Sequence, residues 1–365
     1  MRNTCSIFIL ALFVSSCTNR VSEKDFFHAE IQTVSAEQHG TLNLDECIIS
    51  GESIDYSFMC DSLLISMDRG QSEYIFHISD FESDSLIASF CRRGRAGNEM
   101  MDCTPIYETY RNDVGDVCAD LLAYHTGRLF VWNITQSLQQ NKDCYDGIYS
   151  MINDTTFLPL LSMYRLDGNR IIAKNTKHVS GRIDSEEAQV YEIYDIRKQT
   201  SVTTHDIYRP VSFRTSNRVY LPQEFIGTVE CIRPDKKQLA FCMAYMPVYG
   251  ILDIETGNVN VFKIDGLKKF SPKMRTWNFC DAYADDNYIY ALYFGEDIGN
   301  GRNVKEKPCT LFVMDWNGNL KLQCQLDKCV SMLKYNSGTL YFTHHSSRLY
   351  PIAIEDIHKM VLTNN

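Results

Sequence analysis

The stretch YGILDIETGNVNVFKI, residues 249–264, is two apolar runs of six residues, Tyr249 to Ile254 and Val259 to Ile264, around the polar turn Glu255-Thr256-Gly257-Asn258. Short β-branched and aromatic runs separated by a glycine-bearing turn read as a β-hairpin. The pattern recurs outward from it. TLFVMDWNGNLKLQCQL places Asn317-Gly318 between two strands, VYEIYDIRKQTSVTTHDI turns around Arg197 to Gln199, and EYIFHISDFESDSLIASF turns around Asp80 to Asp84. Ser79, Asp195, Asp253 and Asp315 stand at similar places before these turns, at spacings of 116, 58 and 62 residues. The first spacing is twice 58, so a further unit is expected near residue 137, where RLFVWNI, Arg128 to Ile134, supplies a strand.

An inner strand precedes each hairpin, as in Ser62 to Met67, Arg170 to Asn175, Gln238 to Tyr245 and Tyr288 to Phe294. A last, shorter unit follows in TLYFTHHSSRLYPIAI. A period near 58, repeated about six times with three to four strands each, describes an all-β chain, a β-propeller of six blades of three to four antiparallel strands. Each such sheet buries both faces against its neighbours, which accounts for strands that are apolar on both sides. A pair of β-sandwich domains is the rival all-β architecture, and a regular period is its weaker consequence. The segment Ile31 to Ile49 is expected to complete the last blade and close the ring.

The first residues carry an address. Arg2 precedes the apolar run Ile7 to Val14, and Ser15 and Ser16 are small residues before Cys17, which is the form of a secretory signal. Val14-Ser15-Ser16-Cys17 resembles the bacterial lipobox, whose cysteine is acylated and becomes the mature N-terminus. The expected organisation is a signal peptide over 1–16, acylated Cys17 and a short tether over 17–30, and a single propeller domain over 31–365. The protein is then expected in the cell envelope, lipid-anchored, with the outer membrane favoured, and either periplasmic or surface-exposed.

The net charge of −10 becomes −11 once Arg2 leaves with the signal. An acidic surface lacks the basic footprint that nucleic acid needs, so no nucleic-acid partner is expected. At 44% hydrophobic and 12% aromatic residues, the chain can bury a large core. Of 14 cysteines, Cys5 leaves with the signal and Cys17 is consumed by lipid, which leaves 12. Cys91 with Cys103 and Cys324 with Cys329 are the nearest disulfide candidates, while settings such as LAFCMAY favour buried free thiols.

Two motifs resemble those of TolB-like six-bladed propeller lipoproteins of the Bacteroidetes. FCRRGRAGNEM, Phe90 to Met100, is similar to the F-G-R-R-G-x-G-P-N-E-F signature that follows the first blade, matching at Arg92, Arg93, Gly94, Asn98 and Glu99. Cys91 and Ala96 stand where that signature has glycine. IRPDKKQLAF, Ile232 to Phe241, resembles the S-P-D-G-x-x-L-A-F turn and strand, with Lys236 where glycine is usual. The glycines suit a chain reversal, and the arginines offer an alternative anion-binding patch.

No nucleophile elbow, Walker loop, HExxH helix or dinucleotide fingerprint occurs, and no cofactor is expected. The weak candidates for a channel or metal site are His344, His345 and Asp281. The group Asp281, Asp285, Asp286 and Asn287 is expected mainly to form a turn before YIYALYF. Long polar insertions, Lys174 to Glu187 and Gly295 to Pro308, are expected surface loops. The functional expectation is a membrane-tethered, non-catalytic binding or scaffold propeller for an envelope protein, peptide or glycan. The alternative is a glycan-directed hydrolase or lyase with its site in the channel.

Overall fold

The computed structural model describes residues 21–45, 48–49, 56–70, 72–151, 162–178, 187–209, 211, 213–214, 219–220, 225–271, 276–297, 307–343 and 348–363. The signal segment, Cys17, His344 and His345 lie outside them, as do the middles of both long insertions.

Six small antiparallel sheets form a six-bladed β-propeller. Blade 1 runs through strands Ser57–Cys60, Leu63–Met67, Tyr74–Asp80 and Ser85–Arg92. Blade 2 comprises Thr109–Arg111, Val117–Ala123, Arg128–Asn133 and Tyr145–Ser150. Blade 3 comprises Ser162–Arg165, Arg170–His178, Glu187–Asp195 and Thr200–His205. Blade 4 comprises Thr228–Ile232, Gln238–Met243, Val248–Asp253 and Val259–Ile264. Blade 5 comprises Thr276–Ala284, Tyr288–Asp297, Thr310–Asp315 and Leu320–Leu326, and blade 6 Met332–Asn336, Thr339–Thr343 and Arg348–Ala353. In every blade the first of these strands lies innermost. A two-stranded ribbon, Phe213–Arg214 with Val219–Tyr220, lies between blades 3 and 4 in the chain.

The turn aspartates have a physical role. Asp195 Oδ1 accepts from the amides of Arg197 and Lys198, Asp253 Oδ1 from Thr256, and Asp315 Oδ1 from Asn317 and Asn319. In blade 1 the equivalent is Asp80, accepting from Ser83. Each carboxylate replaces backbone partners that the chain reversal leaves open.

The unit expected near residue 137 is present as blade 2, with Arg128–Asn133 as one of its strands, and the segment after that strand is a helix, α1 (Ile134–Gln140), whose start is capped by the Asn133 side chain accepting from Gln136 N at 2.9 Å. Four blades have four strands, within the three to four expected, and blades 4 and 5 have a fifth. The excess comes from Ile31 to Ile49, which does more than complete the last blade. Ile31–Val34 adds in parallel to the outer strand of blade 4, Gln38–Leu42 adds in parallel to that of blade 5, and Ile48–Ile49 pairs antiparallel with Arg348–Ala353 in blade 6. One N-terminal strap therefore runs along three consecutive blades and closes the ring.

The strap starts earlier than residue 31. A short 3-10 helix, Glu23–Phe26, precedes Phe27, and both phenylalanine rings are fully buried among Tyr191, Tyr208, Phe225 and Phe241 between blades 3 and 4. The C-terminal helix α2 (Ile354–Leu362) buries Ile354, Ile357 and Val361 against blades 5 and 6. His358 Nε2 lies 2.7 Å from the Tyr290 hydroxyl and 3.2 Å from Asp285, which ties the helix to a blade 5 turn. Among the described residues, no helix is long and apolar enough to cross a membrane.

Candidate functional site

The innermost strands surround a central channel that holds a cavity of about 620 Å³, to which all six blades contribute. Strands buried on both sheet faces leave only their innermost edges and turns to line this space, so few side chains decide its chemistry.

Blades 2, 3, 5 and 6 supply tyrosines. Tyr107 and Tyr164 meet at 6.1 Å between ring centroids, and Tyr283 stacks on Tyr335 at 4.6 Å and 15°. Burial raises the phenols of Tyr107 and Tyr283 above their ordinary range, so both are neutral donors.

Four carboxyl-bearing residues line the cavity, of which Asp61 is exposed and paired with Arg111 at 3.2 Å. Asp281 accepts from the amides of Leu333, at 2.8 Å, and Ala282, at 2.9 Å. Burial pushes its carboxyl above the ordinary range, while Lys334 and the two amides act in the opposite direction. Glu108 is likewise pushed up by burial, against the pull of Lys236, whose ammonium it holds, and of the Arg165 amide. Glu230 lies 3.5 Å from the buried ammonium of Lys174 and accepts from the Tyr191 hydroxyl at 3.0 Å and from Thr228. The Lys174 ammonium is disfavoured by burial and held by Glu230.

These contacts also join neighbouring blades. Arg165 of blade 3 holds Asp120 of blade 2 in a buried pair braced by the Tyr110 hydroxyl. Tyr164 donates to the Glu230 carbonyl at 2.7 Å between blades 3 and 4, and Asn278 N donates to Ala244 O at 2.7 Å between blades 4 and 5. Asp281 joins blade 5 to blade 6, and Asn336 Nδ2 donates to Asp61 O at 2.6 Å between blades 6 and 1. Polar contacts thus stitch successive blades along the channel wall, and the buried ones satisfy groups that burial would otherwise penalise.

Lys236 shows how the site is built at some conformational cost. It sits at φ +62°, the left-handed region, at the position where the resembled turn motif carries glycine. A side chain there costs roughly 1–2 kcal/mol, and the return is an ammonium placed at Glu108 in the cavity. Cys91 likewise takes the left-handed region, at φ +60°, where the resembled signature has its first glycine.

That motif does not form an open anion site. The amides of Cys91 and Arg92 both point at the Asp143 carboxylate, at 2.7 and 3.1 Å, so the chain's own blade 2 supplies the anion. Arg93 donates to the carbonyls of Ser72, Asp68 and Met101, and Arg92 faces Glu73 at 3.2 Å and Glu99 at 3.9 Å. Glu99 also accepts from Ala96 N, packed against Gly94, where a Cβ would collide with it. Gly97 lends its carbonyl to Arg128 of blade 2, and Asn98 lies in the exposed turn. The motif is a corner between blades 1 and 2.

Of the sequence candidates, Asp281 is in the channel, whereas Asp285 makes the turn, accepting from Asn287 and Tyr288 at 2.7 Å. Glu108, Glu230 and the channel tyrosines belong to no motif, and Lys236 stands out in the sequence only as a departure from glycine. Their only shared signal is a place at an innermost strand or turn, which needs blade boundaries to be known first. Among the described residues no three His, Cys, Asp or Glu side chains converge as a metal site. The described cysteines are free thiols, Cys91, Cys103, Cys324 and Cys329 included.

No family model matches the chain, and no curated protein matches it. Solved structures do. A member of the DUF4221 family from Bacteroides vulgatus superposes with a TM-score of 0.56 at 12% identity, covering 91% of this chain and 98% of its own. A Bacteroides fragilis protein described as exported gives a TM-score of 0.48 at 9% identity, covering 85% and 88%. The first likeness agrees with the propeller fold and extends no further than the fold.

Proposed function

We propose that this chain is an exported, lipid-anchored envelope propeller of the TolB-like kind that binds a ligand without transforming it, holding part of a protein, peptide or glycan in its central channel. The channel carries the reading. It is a cavity of about 620 Å³ whose tyrosines offer flat faces and hydroxyl donors. Its carboxylates are each already committed to a cation or an amide. Such groups orient a ligand well and move protons poorly, since a proton transfer would break the contacts that join the blades. The address is carried separately by Val14-Ser15-Ser16-Cys17.

One observation favours a glycan-directed hydrolase or lyase instead. Asp281 and Glu108, both raised by burial, face the same cavity, and burial that favours the protonated form of a carboxyl is the direction a general acid needs.

One experiment separates the two. The mature protein is titrated against oligosaccharide and peptide pools from bacterial envelopes, with binding and product both recorded, and Tyr335→Ala and Asp281→Asn are run beside it. The binding reading expects retention without turnover, weakened about tenfold in Tyr335→Ala, in keeping with loss of one aromatic platform. Turnover by the wild type that disappears in Asp281→Asn would replace it with the enzyme reading. Palmitate label retained on a Cys17→Ala protein would overturn the anchor.

A further inference from the structure

Three thiols meet where blade 5 passes into blade 6. Cys309 immediately precedes the strand Thr310–Asp315, Cys329 lies in the connection after Leu320–Leu326, and Cys280 is on the innermost strand of blade 5. All three pack in one apolar cluster with Leu292, Leu311, Val330 and Leu333. The backbone brings two of them side by side. Cys309 N donates to Lys328 O at 3.1 Å and Cys309 Sγ donates to Val330 O at 2.9 Å, so the residues on either side of Cys329 are both partners of Cys309. The Cys309 and Cys329 thiols are themselves hydrogen-bonded to each other. Two thiols already in contact reach the bonding distance of about 2.05 Å by side-chain rotation and a shift of the connection, at the loss of the Cys309 bond to Val330 O.

The neighbouring cysteines are placed for other contacts. Leu311 stands opposite Cys324 across the hairpin, and Cys324 Sγ lies against Gly40 of the strap. Cys280 Sγ accepts from the Phe294 amide, which holds it within its own sheet. Cys309 is buried and Cys329 half-buried, so Cys329 is the thiol of the pair that a reagent can reach.

We propose that Cys309 and Cys329 are an oxidation site that closes as a disulfide on export, with a thiol–disulfide oxidant of the cell envelope as the reaction partner. This rests on the export put forward under Proposed function, because such bonds persist in oxidising compartments.

Cys329 loses its proton, and its thiolate attacks one sulfur of the incoming disulfide and expels the other as a thiolate. Cys309, deprotonated in turn, attacks Cys329 Sγ and expels the remaining sulfur of the oxidant. Two protein thiols thus give up two protons and two electrons, and the oxidant leaves as two thiols. Burial pushes the Cys309 thiol up to about 12, which slows the second step in the folded chain and favours closure while the chain is folding. The bond ties the outer hairpin of blade 5 to the connection on which the strap is seated, where Asp327 Oδ1 accepts from Leu44 N at 2.8 Å and Asp327 N donates to Leu42 O at 3.3 Å.

The test is thiol trapping of the full-length protein in fractionated cells with N-ethylmaleimide, then non-reducing trypsin digestion and mass spectrometry. Cleavage after Arg275, Lys305, Lys321, Lys328 and Lys334 puts Cys280, Cys309, Cys324 and Cys329 on separate peptides. Peptide 306–321 should be found linked to peptide 329–334, with Cys324 alkylated. Dithiothreitol should lower the melting temperature by about 5 °C, an effect lost in Cys329→Ser and kept in Cys324→Ser. The purified, reduced protein is also incubated with glutathione disulfide. Closure of this pair there, by a protein that cells keep reduced in the cytosol, would uphold the pairing and overturn export. Thiols that stay open in both experiments of an envelope-located protein, or a link that joins Cys329 to Cys324 or Cys309 to Cys280, would overturn the pairing and leave export standing.

Discussion

Gly318 occupies φ +86° in the blade 5 hairpin, its carbonyl accepts from the Tyr249 hydroxyl at 2.8 Å, and a Cβ there would overlap the Phe262 ring of blade 4. Backbone strain and steric overlap act together, so Gly318→Ala should lower unfolding free energy by about 2 kcal/mol or more. Urea denaturation followed by tryptophan fluorescence measures it, and a midpoint within error of the wild type would contradict the packing described. Asp281 gives a pH dependence. Its carboxyl is raised in the fold, so its contribution to stability is present below the ordinary carboxylate value, near 3.9, and is lost as pH rises through the raised value. Asp281→Asn loses an acceptor at every pH but removes this ionisation. The difference in stability between variant and wild type should therefore move in the variant's favour between pH 4 and 7, by denaturation at several pH values. A constant difference would show that Asp281 titrates normally. The sequence marked Asp281 but could not separate it from Asp285, because both stand near the same turn. Their roles diverge only through blade 6, whose Leu333 amide binds Asp281.

At the scale of elements, hairpins were legible because their information is local. Residues 249–264 and 311–326 carry their own turns, and Asp253 and Asp315 bond the turn amides as an Asx residue should. The helix α1 was not legible, since the seven residues ITQSLQQ are too few to display a helical period, and the Asn133 cap and the Trp132 Nε1 bond to Ser137 Oγ, at 3.0 Å, fix it in place. Parallel addition of Ile31–Val34 and Gln38–Leu42 was illegible for another reason: no turn links them to partners more than 200 residues away. Contacts between blades have the same non-local origin, and Lys174 with Glu230 shows their weight. Glu230→Gln leaves the Lys174 ammonium buried beside Ile226 O and Thr228 without a counter-charge. It should cost about 3–5 kcal/mol, whereas the double variant Lys174→Met, Glu230→Gln should return to within about 2 kcal/mol of the wild type. Thermal unfolding of the three proteins checks this. If the single and double variants are equally unstable, the pair is not the unit that matters.

For the whole molecule, the strap settles how an open row of sheets becomes a closed body. Blades meet only their neighbours, so a linear array would leave blades 1 and 6 each with one apolar face in water. Ile48–Ile49 closes that gap through blade 6, while the preceding strands cover the outer edges of blades 4 and 5. An uncovered edge is a template for another chain. Removing residues 21–45 takes away both covers along with Phe26, Phe27 and Leu44, all fully buried. Loss of two such rings alone is worth about 6 kcal/mol or more, comparable with the whole stability of many domains. The shortened protein should melt far below the wild type and associate in a concentration-dependent way on size-exclusion chromatography. Phe27→Ala, destabilised by about 3–5 kcal/mol, should elute as the wild type does because its edges stay paired. A synthetic peptide of residues 21–45 added to the shortened protein should bind and suppress association, since it restores the missing strands. A shortened protein that is monomeric, with an unchanged melting temperature, would mean that the strap is an appendage. The blades would then have to be held by the ring of channel contacts alone, Asp120 with Arg165, Glu230 with Lys174 and Asp281 with the Leu333 amide.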